Sequence, residues 1–208
     1  MKPTFIIPYR NRKEHLQRLA PHLLPIGEVV VIEQADNRPF NRGKLLNIGF
    51  AIARETMDYC IFHDVDMIPI DPACYRYNPD AVTHLAGCCT QFGMKMPYPE
   101  YLGGVTMFNP IHFEDINGFS NDFWGWGGED DDLRNRVLEK GIQISNYPGK
   151  FKSLYHRHNY EQKTHEANLT LLKQGPDFES GLSSLSYESI TQFNFQFSPD
   201  IQAYSVIL

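Results

Sequence analysis

No apolar run in the chain approaches the roughly 20 residues needed to span a bilayer, so none of its 208 residues is read as a membrane-crossing helix. Cysteine is scarce. Cys60, Cys74, Cys88 and Cys89 are the only four, with no C-x-x-C pair and no zinc-like tetrad. That pattern argues against a disulfide framework or a structural zinc site, and the vicinal pair is badly placed to bridge itself. Free thiols in a reducing compartment are expected. Excess positive charge is also missing: 19 basic residues face 25 acidic ones, for a net charge of −6. Nucleic acid is therefore not an expected partner, although a local basic cluster could still hold one phosphate group. There is no repeat, low-complexity tract or linker. The opening MKPTFIIPYR runs directly into strand-like sequence and carries no export signal, so a soluble, cytoplasmic protein is expected.

What remains is a chain with 42% apolar residues, enough for one well-packed domain. Periodicity predicts a strand at 4–9, an amphipathic helix with Leu16, Leu19 and Leu23 on one side, and an apolar strand at 29–32. A second helix is expected over 44–54 and a third strand along DYCIFHDVD. This β-α-β alternation predicts an α/β fold with a mostly parallel central sheet and functional side chains at the strand ends. Residues 71–100, rich in Pro, Tyr and Cys, read as irregular apart from a short strand at 81–87. YLGGVTMF reads as a strand, 129–140 as a helix stopped by Gly141, and IQISNY as a strand. The polar, histidine-bearing segment 150–174 reads as a mobile loop, with terminal strands expected at 192–197 and 203–208.

Four local patterns carry chemistry. In HDVDMIP, Asp64 and Asp66 follow an apolar strand at a spacing that points both carboxylates to one side. One could hold a divalent ion and the other a substrate hydroxyl, or the pair could be an ordinary polar turn. In LYHRH, His156 and His158 repeat that spacing. Two imidazoles with one carboxylate suit Mn or Zn better than Ca or Mg, unless these are simply solvated loop histidines. PYRNR and FNRGK set Arg10, Arg12, Arg42 and Lys44 after a strand and at a helix start, where guanidinium forks and exposed amides can hold phosphate. In WGWGGEDDD, two glycines allow a close approach, and Glu129, Asp130, Asp131 and Asp132 fall in a first helical turn. The macrodipole favours each anion there by about 0.3–1 kcal/mol. Helix starting explains one or two such acids. Four adjacent ones suggest a polyol-binding site in which an ionised aspartate takes a proton from an alcohol beside an aromatic face.

Together the segments FIIPYRNRKEHL, FNRGKLLNIGFAIA, FHDVDMIP, YLGGVTMFNPIHFEDINGFSNDFWGWGGEDDDLRNRV, the YHRH stretch and SGLSSLSY resemble the β-1,4-galactosyltransferase family, glycosyltransferase family 7. The resemblance runs from about residue 4 to about residue 190. It implies a single GT-A type domain over 1–208, with a nucleotide-binding β-α-β part at 1–70 and an acceptor and metal part at 71–208. It further implies an inverting, metal-dependent transfer of galactose from UDP-galactose to a saccharide acceptor, giving a β linkage of β-1,4 type, with Mn2+ or another divalent ion as cofactor. UDP-GalNAc is the alternative donor. A non-catalytic carbohydrate-binding protein and a metal-dependent phosphoesterase are the competing classes. Carried across by position, the resemblance makes Asp130 the catalytic base and Asp66, His156 and His158 the metal ligands. Pro8, Arg10, Arg12, Phe40, Arg42 and Val65 would bind the nucleotide. Asp64, Tyr101, Gly104, Trp126 and Glu129 would meet the donor sugar, and Asp131 and Tyr98 the acceptor. Tyr101 is the position expected to favour galactose over its N-acetylated relative. Family members in the vertebrate Golgi carry an anchor and paired disulfides that have no counterpart here, so a cytosolic, bacterial-type member is expected.

Overall fold

The computed structural model describes residues 1–155 and 161–208. The predicted opening is present: β1 (Pro3–Tyr9), α1 (Lys13–Leu23), β2 (Glu28–Gln34), α2 (Arg42–Ala53) and β3 (Tyr59–His63). Next come β4 (Met67–Pro69), β5 (Ala81–His84), β6 (Cys88–Cys89), β7 (Val105–Phe108), α3 (Pro110–Asp115) and α4 (Glu129–Glu139). The chain finishes with β8 (Gln143–Asn146), β9 (Lys150–Ser153), α5 (Gln162–Gln174), β10 (Ser189–Phe195) and β11 (Ser198–Ile207).

Eight strands form one sheet in the order β10-β11-β2-β1-β3-β7-β5-β8. Four of its neighbouring pairs are parallel (β1 with β2 and β3, β11 with β2, β5 with β8), and three are antiparallel (β10 with β11, β7 with β3 and β5). Both faces are covered, as expected for a mostly parallel sheet. Alternate residues of β1 show this directly. Phe5 and Ile7 join Leu16, Leu19 and Leu23 of α1 in one apolar layer, while Ile6 joins Leu45, Leu46 and Ile48 of α2 and Leu133 and Val137 of α4 in the other. Each such fully buried side chain contributes about 1.5–3 kcal/mol. The small sheet β4-β9-β6 lies outside the main one. All four cysteines are free, and among the described residues no helix is long and apolar enough to cross a membrane.

Several expectations need correcting. The strand along DYCIFHDVD ends at His63, so Asp64 to Asp66 form the turn beyond it. YLGGVTMF is a strand only from Val105, because Gly104 turns the chain at φ +79°. The segment read as a mobile loop, 150–174, carries strand β9 and helix α5. That helix escapes periodicity because its one buried residue is the polar Asn168. Helix α3 was not anticipated either, although Asn109 accepts from Ile111 N as its cap and Pro110 starts it.

Candidate active site

Three elements deliver charge to one place. Helix α2 starts at Arg42 because the Asn41 side chain caps it, accepting from the Lys44 amide. Asn41 Nδ2 also donates to Asn121 O at 2.7 Å, and Asn47 Nδ2 donates to Phe119 O at 2.8 Å, which ties α2 to the segment leading into WGWGG. Helix α4 begins after Gly128, whose φ of +94° strongly favours glycine at this N-cap position. Its first turn holds all four acids. The third element is the turn after β3, where Asp64 N donates to Gly104 O at 2.9 Å.

Arg42 joins them. Its Nε lies 2.7 Å from Asp64 Oδ1, and its Nη1 lies 2.8 Å from Asp130 Oδ1 and 3.9 Å from Glu129 Oε1. Burial disfavours the guanidinium charge, but Asp130, Asp64 and Glu129 outweigh it and raise the arginine pKa. The acids respond unequally. Burial, aided by neighbouring Asp130 and only partly offset by Arg42, pushes Glu129 up to about 8. Burial likewise lifts Asp64 to about 6 against the pull of Arg42. Asp132, by contrast, is structural: it pairs with the fully buried Arg136 one turn on, at 2.7 Å. Arg136 also donates to the carbonyls of Ile116, Gly118 and Asp177. Only part of the acidic run, then, faces the cluster around Arg42.

Of the other expected residues, Tyr98, Tyr101 and Gly104 lie against these acids, while Arg10 and Phe40 pair with each other. Tyr98 Oη donates to Asp131 Oδ1 at 2.9 Å, and burial followed by that carboxylate raises the phenol's pKa. Tyr101 and Gly103 form the surface beneath Asp130. A Cβ placed on Gly103 would lie 2.3 Å from Asp130 Oδ2 and 2.6 Å from Tyr101 Oη, so glycine is what lets the aspartate sit there. Gly104 supplies the carbonyl that holds Asp64. Val65 is buried beside it. Arg10 stacks its guanidinium 5.2 Å from the Phe40 ring centre and donates to Arg38 O at 2.7 Å. Pro8 lies in buried β1 and Arg12 at the start of α1. Phe40 O accepts from Gly125 N at 2.8 Å, so the WGWGG loop is bonded to the Arg10–Phe40 pair. Trp126 is half exposed, its ring 5.2 Å from that of His165. Arg42, expected beside Arg10 and Arg12, instead has its guanidinium engaged by the carboxylates.

Of the three expected metal ligands, His156 and His158 lie outside the described residues. Asp66 lies in the turn after β3, and its carbonyl accepts from Leu154 N at 2.8 Å, continuing the β4–β9 pairing. The chain thus passes beside Asp66 two residues before His156. Among the described residues no group of three His, Cys, Asp or Glu side chains is gathered for an ion.

Sequence reasoning missed the groups that hold these residues in place. His63 is fully buried, and burial lowers its pKa to about 4, so the ring is neutral. Its Nδ1 lies 2.9 Å from Asp64 O, an acceptor only, so Nδ1 carries the proton and Nε2 accepts from Tyr75 Oη at 2.8 Å. Asn168 of α5 donates to Trp124 O at 2.9 Å and to Gly127 O at 2.8 Å, clamping the glycine loop. His63 directly precedes the Asp64–Asp66 pair in the chain, a local signal that could have found it; Asn168 offers none.

Two family models match the chain. One described as the N-terminal region of glycosyl transferase group 7 covers residues 1–78, and one described as the N-terminal domain of galactosyltransferase covers 83–159. The chain belongs to the glycosyltransferase group 7 family. Among curated relatives, this family member is 37% identical over 206 residues to beta-1,4-galactosyltransferase 3 of Bos taurus, covering 92% of the chain and 52% of the relative. It is 40% identical over 202 residues to beta-1,4-galactosyltransferase 5 of Mus musculus, covering 90% and 52%. The chain therefore spans about half the length of the curated relatives it matches. Among solved structures it resembles the catalytic domain of Drosophila beta-1,4-galactosyltransferase 7 in complex with xylobiose, with a TM-score of 0.82 at 25% identity over 100% of this chain and 94% of that one. A mutant of that enzyme bound to manganese, UDP-Gal and xylobiose gives 0.81 at the same identity and coverage. The fold is thus of the GT-A galactosyltransferase type.

Proposed function

We propose that this group 7 member is an inverting, metal-dependent glycosyltransferase that moves galactose from UDP-galactose to a sugar hydroxyl, forming a β-1,4 linkage. The observation that carries the reading is the Asp64–Arg42–Asp130 cluster. It joins a carboxylate at a strand exit to one at a helix start, with Tyr98–Asp131 beside it. The Drosophila enzyme crystallised with manganese, UDP-Gal and xylobiose supports donor, cofactor and saccharide acceptor alike.

In this mechanism the acceptor oxygen attacks the anomeric carbon as the bond from that carbon to the diphosphate oxygen breaks, and UDP departs with the electron pair. The acceptor proton passes to the Asp130 carboxylate. Attack from the face opposite UDP converts an α donor into a β product. Arg42 fixes Asp130 through Oδ1, while Gly103 and Tyr101 form its other boundary. Arg10 and Phe40 offer charge and a ring face to the nucleotide. Base catalysis of this kind contributes about 10²- to 10⁴-fold, and alignment of donor and acceptor much of the rest. Tyr101, packed under Asp130, limits room near the donor sugar and favours galactose over UDP-GalNAc.

The donor set fits a divalent ion of the manganese type. Asp66 offers a carboxylate, the β4–β9 pairing leads the chain past it toward His156 and His158, and mixed oxygen and imidazole ligands suit that ion. Bound there, the ion would neutralise the diphosphate leaving group. The four free cysteines support a reducing, cytoplasmic setting.

The test is a matrix of UDP-sugars against monosaccharide acceptors, with manganese or with EDTA, and the product linkage read by NMR. A β-galactoside formed only with the metal is expected. Metal-independent transfer, retention of the α configuration, or no transfer from any donor would overturn the reading.

A further inference from the structure

His84 is a buried titratable group that the mechanism above leaves unused. It ends β5 with no exposed surface, and its Nε2 lies 2.9 Å from Gly103 O. A carbonyl only accepts, so Nε2 carries the proton. Burial lowers the ring's pKa, so it is a neutral donor. Nδ1 is then an acceptor, and it is buried with no hydrogen-bond partner among the described residues. Asn146, level with His84 on β8, is near enough to favour the charged ring but lies outside hydrogen-bonding geometry of Nδ1. Leaving such an atom unpaired is costly, and an apolar residue would fill the space without that cost. Gly103 O already accepts from Val105 N at 3.0 Å, so the histidine is not needed merely to satisfy that carbonyl. Costs of this kind gather at functional sites.

What the bond secures is the peptide beneath Asp130. Gly103 abuts Asp130 Oδ2 and Tyr101 Oη, and the Tyr101 ring meets the His84 ring edge to face at 5.4 Å. One residue on, Gly104 O holds Asp64 N. Both groups that bound Asp130 on the side away from Arg42 therefore rest on one imidazole. We propose that His84 is a positioning residue for Asp130, fixing the Gly103 carbonyl and the Tyr101 ring that together set where the carboxylate sits. The inference rests on the reading of Asp130 as the base.

The test compares His84→Gln with His84→Asn in the full chain, using the donor and acceptor that the wild type turns over. Both variants bury one amide, but a glutamine nitrogen can reach where Nε2 stood and an asparagine nitrogen falls short. A displacement of about 1 Å at a reacting group costs on the order of 10²-fold. The glutamine variant should keep kcat within about threefold of wild type, while asparagine loses roughly 10- to 100-fold with KM for UDP-galactose nearly unchanged and equal urea midpoints. Equal kcat in the two variants overturns the proposal. So does parallel loss of kcat, donor KM and stability, or an asparagine variant that fails to fold while glutamine folds, since His84 would then be structural. A wild type that transfers nothing instead defeats the functional reading itself, and this inference with it, before any variant is made.

Discussion

Replacing Arg42 by Gln tests the electrostatic arrangement of the site without assuming any activity. The guanidinium side chain is 12% exposed and meets carboxylates whose exposures are 29% (Asp64), 14% (Glu129) and 19% (Asp130). Two of its contacts, at 2.7 and 2.8 Å, are charge-assisted hydrogen bonds, each worth about 1.5–3 kcal/mol. Removing one partner of a buried pair costs about 3–5 kcal/mol in general. Stranding three acids does not triple that, because they can take up protons. The α4 dipole offers each acid in its first turn only about 0.3–1 kcal/mol in return. The expected loss is therefore about 3 kcal/mol at pH 8, in EDTA, by urea unfolding with unchanged m-value. Its pH dependence follows from Glu129, which Arg42 already restrains to about 8. Without Arg42, Glu129 in the folded state stays protonated to higher pH than it does in the wild type. The variant's stability therefore falls more steeply as pH rises, and the deficit shrinks toward pH 5. Arg42→Lys, a point charge without the fork, should recover only part of the loss. A deficit under 1 kcal/mol at pH 8, or one that grows toward acid pH, would refute the argument.

Other outcomes follow from the same geometry. Asp130→Asn should unfold within about 1 kcal/mol of wild type yet lose at least 100-fold in kcat with donor affinity nearly intact; isothermal titration with UDP beside a transfer assay checks both, and an active variant removes Asp130 as the base. Glu129 has a folded pKa raised from its ordinary 4.5 to about 8, so its contribution is fully present below 4.5 and disappears as pH rises through 8. That span corresponds to roughly 5 kcal/mol at most, and Glu129→Gln should flatten the stability profile between pH 5 and 8; an unchanged slope in urea titrations would contradict it. Gly103→Ala puts a methyl 2.3 Å from Asp130 Oδ2, so kcat should fall about 100-fold while the chain stays folded by circular dichroism; a fully active alanine variant would show that Asp130 has slack.

The features legible in the chain were those written within a few neighbouring residues. Alternating apolar positions in β1 and β2, the leucines of α1, the acids opening α4 and the aspartates after β3 are local patterns, because backbone periodicity and helix dipoles act over one or two turns. Even there, Gly104 cut the β7 strand short, and α5 went unseen because its single buried side chain is Asn168. Folding decided which charges meet. Arg42 lies 22 residues from Asp64 and 88 from Asp130, and whether it faces a phosphate or a carboxylate is settled by α2 packing against the sheet and bonding to 119–121. The fate of the four acids likewise depends on packing. Asp132 turns inward to Arg136, Asp131 meets Tyr98, and Glu129 and Asp130 share Arg42. His84 beneath Gly103 had no motif to announce it, since its role comes from a carbonyl 19 residues away. Local patterning specified most of the elements and the kinds of chemistry available at their ends. The pairings needed the tertiary structure, because buried electrostatics depends on distances and desolvation that exist only once the elements are packed together.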